Sequence, residues 1–445
     1  MLRMTLYTGF LLIQISTVPV LASVLPEDCS GVNAQSEECG RLLSMASYVE
    51  QSKAQAASGK FSSAIDTIDK AIKIAKTFHP ELYVEYIIDQ AEYAEDWARD
   101  IRGVKGLQQA LAILQRAIPS LGKVDNLTTK TRFYNRISSL YVELASINND
   151  ATYSEAAIES FQHILSLVDK DVDREYWANI QYNLGLAYST HYENTDDTAY
   201  LILGKKTLQE ALKYFEKSEK LKEWASVSSG LADNDAAAAI VFDRADLAQA
   251  ALNRYNEVAQ ALKSTPYKEE LANAYHNGAL VSMRLGRETE DFNHLRAAHN
   301  YFGKAVDLYE DVRDYFSWVT AYSNQAWATF YGAQITQNPK HYLNAVKMVQ
   351  NILDNFPQHK SPVRWAELVN QLGDLQMGAA AHQQDITGAQ EAIQSFEVAA
   401  KVYEEIGDTE QYDLVQNKIY RIKVILIDLL QNQESGDQIP EDTDT

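Results

Sequence analysis

The chain has 445 residues, of which 46% are hydrophobic and 23% charged, with only 9 Pro and 19 Gly, a composition that excludes a disordered or linker-dominated protein. Its formal net charge of -21 sets it against nucleic acid and anionic membrane surfaces, because binding phosphates requires clustered Lys and Arg.

Residues 1–22, MLRMTLYTGFLLIQISTVPVLA, carry one Arg, an apolar run and Val20 and Ala22 at the spacing of a cleavage site, and read as a secretory signal peptide. A membrane anchor is the alternative. The run is broken by Gln14, Ser16, Thr17 and Pro19 and is short for a span, which favours cleavage after Ala22 and no membrane insertion afterwards. Residues 23–40 hold the only two cysteines, Cys29 and Cys39, and in an exported chain such a close pair reads as one small disulfide loop.

From Arg41 a repeat of 47 residues organises the chain. WANIQYNLGLAY at Trp177 returns as WASVSSGLA at Trp224, LANAYHNGA at Leu271, WVTAYSNQA at Trp318 and WAELVNQLG at Trp365. A second frame runs in step: Ala110, Ala157, Gly204, Ala251, Ala298, Ala345 and Ala392. Each is followed four residues on by Leu114, Phe161, Leu208, Tyr255, Phe302, Val349 and Phe396, and seven on by Ala117, Ile164, Ala211, Val258, Ala305, Ile352 and Ala399. Small residues two turns apart with a large apolar residue between them make one apolar helix stripe that a neighbour can approach closely. Each unit therefore holds two helices, A from the Trp frame and B from the Ala frame. A fixed period of this size signals a solenoid, in which no unit buries its apolar face alone.

Gly59, Phe61, Ala64, Ile68 and Ala71, and the segment YNLGLAY from Tyr182 to Tyr188, resemble the turn and helix positions of the tetratricopeptide repeat. The resemblance covers about residues 41–431 and is nearest to the extended arrays common in bacterial proteins. It implies an all-α fold, a right-handed superhelical TPR-like solenoid. Eight A/B pairs fit between Arg41 and Glu405, and a C-terminal capping helix follows from Tyr412. Against the family's shorter unit, extra residues fall in HYENTDDT, GRETEDFN, GAQITQNPKH and GAAAHQQDIT, which predict longer A-to-B loops, and a second insertion predicts longer B helices. Residues 432–445, strongly acidic, read as a disordered tail.

No catalytic constellation stands out, and no cofactor or metal is expected. His294 and His299 lie five apart, not at the paired spacing of a metal site. LGKKT, Leu203–Thr207, lacks the first Gly of a phosphate loop. Asp196 with Asp197, and Glu288 with Glu290 and Asp291, read as solvated loop acids, with a weak calcium site as the alternative. The sequon Asn126-Leu127-Thr128 would be glycosylated only in a eukaryotic secretory pathway.

The resemblance implies a concave face lined by helix A, at positions one, four and five after the conserved Gly or Ala: Leu186, Ser189 and Thr190; Asp233, Ala236 and Ala237; Leu280, Met283 and Arg284; Trp327, Phe330 and Tyr331; Asp374, Met377 and Gly378. Trp177, Trp224, Trp318 and Trp365 recur with the repeat and read as interunit packing. Trp327 does not recur. With Phe330 and Tyr331 it sets three aromatics on one helix face. The expected partner site is Trp327, Phe330, Tyr331, Met283, Arg284, Met377 and Asp374, with extra core packing of the aromatics against Ala326 and Ala328 as the alternative.

These residues predict an exported, non-enzymatic TPR scaffold in the bacterial periplasm or secreted, binding a basic or apolar protein or peptide in its groove, with no nucleic acid. The alternative is a small-molecule or glycan-binding cell-envelope protein, enzymatic in one version, using the same groove. Self-assembly through the array ends is a third reading, and the oligomeric state is left open.

Overall fold

The computed structural model describes residues 37–97, 104–215, 217 and 219–436. The expected signal peptide, Cys29 and the last nine residues lie outside the described residues. The described residues form seventeen α-helices and no strand. They fall into two compact units that divide between Asp243 and Arg244.

The first unit holds α1 (Glu37–Ala57), α2 (Phe61–Phe78), α3 (Pro80–Trp97), α4 (Val104–Gln115), α5 (Leu127–Asn148), α6 (Ala151–Leu167), α7 (Arg174–Thr195), α8 (Ala199–Leu212) and α9 (Leu221–Val241). The second holds α10 (Ala245–Leu262), α11 (Lys268–Glu288), α12 (Phe292–Asp311), α13 (Tyr315–Thr336), α14 (Pro339–Asn355), α15 (Pro362–Gln383), α16 (Ile386–Ile406) and α17 (Thr409–Gly436). Within each unit every helix packs on the next in sequence, and alternate helices touch along the A line, as α5 with α7 and α11 with α13. This is a TPR-like helical repeat. Cys39 is buried in the first turn of α1.

Both sequence frames become the core. The small and large residues of the B stripe are buried in all seven repeats that carry it. Where the facing residue of the preceding A helix is Gly185 or Gly373, the large residue docks in the seat it leaves. A Cβ on Gly185 would stand 2.6 Å from Leu208 Cγ, and one on Gly373 2.7 Å from Phe396 Cε1. Burial of each such side chain stabilises by about 1.5–3 kcal/mol, and only a small seat admits it. α7 is enclosed nearly all round: its residues 178–188 are buried except Gln181.

The extra residues do not form long A-to-B loops. They lengthen helix A, so that HYENT lies inside α7, and the connections shrink to tight turns. The reason is local. Asn149, Asp196, Asp243, Glu290, Gln337 and Gln384, one per repeat, take the left-handed conformation with φ of 50–58°. The next residue then caps helix B: Asp150, Asp197, Asp291 and Asn338 each accept the amide two residues on, at 2.8–3.1 Å. An acidic or amide pair therefore closes the turn that glycine would otherwise supply. The other connection has its own cap. His79, Asn126, Asp173, Asp314, Ser361 and Asp408, again in register, each accept the amide three residues on at 3.1–3.4 Å.

Candidate functional site

The turn geometry absorbs most of the polar residues that sequence alone left open. Asp196 and Asp197, like Glu290 and Asp291, are the turn and cap residues just described, and Glu288 pairs with Arg284 at 2.6 Å. Leu203–Thr207 lies inside α8, where Lys205 binds Asp235 at 2.6 Å. Asn126 caps α5 and donates its Nδ2 to Glu81 at 2.8 Å, so both ends of its amide are engaged. His299 on α12 meets Thr329 Oγ1 of α13 at 2.8 Å, a packing role. Among the described residues no His, Cys, Asp and Glu cluster is arranged to hold a metal.

A polar ladder joins successive A helices beneath the expected groove. Asn324 of α13 reaches His276 of α11 at 3.4 Å, Gln371 of α15 reaches the Ser323 carbonyl at 3.0 Å, and Lys418 of α17 reaches Asn370 at 2.9 Å. The same rung in the first unit is Asn183 to Asn135 at 3.3 Å. His276 is buried, and that burial, with Arg364 nearby, depresses its pKa to about 3, so the ring is neutral near neutral pH.

The groove positions differ from helix to helix. On α7, α9 and α11 the leading residues Leu186, Asp233 and Leu280 are buried, as are Thr190, Ala236 and Met283, while Ser189, Ala237 and Arg284 are half-buried. On α13 and α15 the same line opens: Trp327, Tyr331, Asp374, Met377 and Gly378 are half-exposed. α13 carries no charged side chain over its whole length.

Two of the three expected aromatics face this opening. The Trp327 and Tyr331 rings stack with centroids 5.5 Å apart and 20° between planes, and the Arg287 guanidinium lies 4.2 Å from the Tyr331 centroid. Phe330 does not join them as an anchor. It is 5% exposed, meets Trp327 and Tyr342 edge-on at 5.6 and 5.3 Å, and fills the seat opened by Gly378. The i+3 position turns inward because α14 and α15 close over it, a tertiary fact that helical spacing does not carry. Met283 is likewise core, at 7% exposure. Asp374 and Lys418 form an ion pair at 2.8 Å on the far side of the aromatic pair. Burial holds the Asp374 carboxyl above its ordinary range, opposed by Lys418, and burial also raises the Tyr331 phenol. Arg287 was not marked by the repeat frame; only its place four residues before Asp291's turn, at the end of α11, puts it over α13.

No known protein family's sequence profile matches the chain, and no curated protein is detectably similar in sequence. Solved structures that resemble it are helical repeat proteins. A Rap protein complexed with competence and sporulation factor is 12% identical, covering 86% of this chain and 99% of its own, at TM-score 0.46. The human IFIT1 dimer with PPP-AAAA is 15% identical with 92% of each chain covered at TM-score 0.40. A signal-transduction ATPase with a tetratricopeptide repeat sensor from Pyrococcus horikoshii is 13% identical, covering 83% of this chain and 54% of its own, at TM-score 0.40. No described helix is long and apolar enough to cross a membrane.

Proposed function

We propose that the chain is an exported, non-enzymatic scaffold that holds a segment of a partner protein on the open line of α13 and α15. The observation that carries this reading is the half-buried Trp327–Tyr331 stack on an uncharged helix, with Trp327 at a position that is buried on α7, α9 and α11. A rigid aromatic pair whose partly desolvated faces are already ordered is the kind of surface that anchors an apolar or aromatic side chain at low entropic cost. Arg287 on one side and the Asp374–Lys418 pair on the other give the partner backbone polar contacts. The net charge of -21 favours a basic or neutral segment and disfavours polyanions.

Export to a bacterial periplasm or the exterior rests on residues 1–22 as a signal peptide and on the cysteine pair. The glycan alternative has no observation in its favour. Asp233 is buried, and Asp374 accepts from Lys418, which also donates to Asn370, so neither carboxylate is presented to a sugar. The test is a screen of immobilised peptides against the full chain, with tryptophan fluorescence titrations of cell-wall oligosaccharides alongside. Retained peptides sharing an aromatic or bulky apolar residue support the reading. A saturating response to oligosaccharides with no peptide retained overturns it.

A further inference from the structure

α17 ends the described array with one face in and one face out. Val415, Ile419, Ile422 and Leu426 are buried against α16. Leu414, Tyr420 and Val424 are 50%, 69% and 41% exposed. Tyr420 occupies a telling place in the repeat. The same position in the earlier A helices is Ala91, Ser138, Gly185, Ala232, Ala279, Ala326 and Gly373, small and buried in every case. It is the seat into which the next B helix drops its large residue, as Leu208 does on Gly185 and Phe396 on Gly373. A tyrosine fills that seat and projects from it, so this surface is shaped to be a knob and not to receive another repeat.

At 100° per residue, Asp413, Leu414, Asn417, Tyr420, Arg421 and Val424 fall within one arc of about 120° on this outer face. All six are exposed. Their charges are ordered along the helix, with Glu410 and Asp413 before Asn417 and Arg421 after it. A second helix of the same sequence laid antiparallel, with Asn417 on the two-fold axis, sets Asp413 opposite Arg421 and Leu414 opposite Tyr420 in both directions. A parallel arrangement would set Asp413 on Asp413 and Arg421 on Arg421. The face is therefore self-complementary in one orientation only, which is the requirement of an isologous two-fold interface.

We propose that a second copy of this chain docks on the outer face of α17, antiparallel, about a two-fold axis at Asn417. The patch is small, so the dimer is weak and forms with rising concentration. The inference stands apart from the partner site, since none of these residues touches Trp327 or Tyr331, and either can fail without the other.

Light scattering and sedimentation of the full chain, over about 1 to 200 µM, read the association. The expected result is a monomer–dimer equilibrium that Leu414→Glu with Tyr420→Glu abolishes. Asp413→Arg or Arg421→Asp alone weakens it about tenfold, and the two together restore it to within about threefold of the original. Asn417→Cys gives a disulfide-linked dimer on mild oxidation. All these positions face solvent, so circular dichroism and the melting midpoint stay unchanged, and restoration by the double reversal is an outcome that a misfolded variant does not produce. A single-chain mass throughout, or a dimer indifferent to the double glutamate variant, overturns the proposal. Single reversals that weaken the dimer without mutual rescue overturn the antiparallel register.

Discussion

The Phe330 ring lies directly over Gly378 of the next A helix, so close that a Cβ there would clash with Phe330 Cζ. Phe330 has no room to withdraw, being buried among Ala326, Tyr342, Val349 and Leu375. Gly378→Ala therefore destabilises the second unit by about 1–3 kcal/mol through overpacking. Urea unfolding checks this, and an unchanged midpoint would mean that the α13–α15 contact is slack.

The same contact separates core from surface within the aromatic trio. Phe330→Ala costs about 3–5 kcal/mol, the range for truncating a buried aromatic. Trp327→Ala with Tyr331→Ala removes half-exposed rings and costs less than about 2 kcal/mol, while weakening partner binding. Melting curves on the variants distinguish the two roles. A Phe330→Ala variant as stable as the parent would return that residue to the binding surface.

The repeat length, both helix frames and the three-position apolar stripe of the B helices were legible in the amino-acid order, because small and large residues that seat one another must recur whenever the packing recurs. The turns were not. Asp197 and Asp291 carry the composition of a solvated loop, and their role as caps depends on the left-handed residue before each, which a composition rule does not register. In the candidate site, spacing brought Trp327 and Tyr331 to one face correctly but assigned Phe330 to it as well. The burial of Phe330 depends on Tyr342 and Gly378, which lie on the next two helices. Arg287 was missed because its partner Tyr331 lies in the next repeat.

Two arginines of α5 meet four carboxylates of α3 in the first unit. Arg132 binds Glu85 and Asp89, the latter at 3.0 Å, and Arg136 binds Glu95 at 2.7 Å, with Glu92 within 4 Å of both. Burial first, then Glu92 and Glu85, push the Asp89 carboxyl up to about 6 despite Arg132. A carboxyl raised above its unfolded value of 3.8 binds its proton more tightly in the folded state. Its stabilising effect is full below that value and is lost as pH rises through about 6. Asp89→Asn keeps the neutral form at every pH and so raises stability at pH 7 by about 1–3 kcal/mol, with little change near pH 4. Urea unfolding at both pH values reads it. Loss of stability at pH 7 would show that the Asp89–Arg132 attraction outweighs the burial of charge.

The in-register caps make a stability prediction without touching the core. Asp173→Ala and Asp314→Ala each leave an amide of the first turn without its side-chain acceptor, Tyr176 N and Ser317 N respectively. Each costs about 1 kcal/mol, and because the sites lie in separate units the two add. Thermal melts of the single and double variants check both the size and the additivity.

Side-by-side affinity capture from periplasmic or secreted extract reads directly whether the opened line of α13 and α15 holds a partner protein. The baits are the chain from Ser23 and its Trp327→Ala, Tyr331→Ala variant, which leaves the Phe330 core in place. The expected result is a protein retained by the first and lost by the second, at equal helical content and melting midpoint. Equal retention of the same protein by both baits would contradict it.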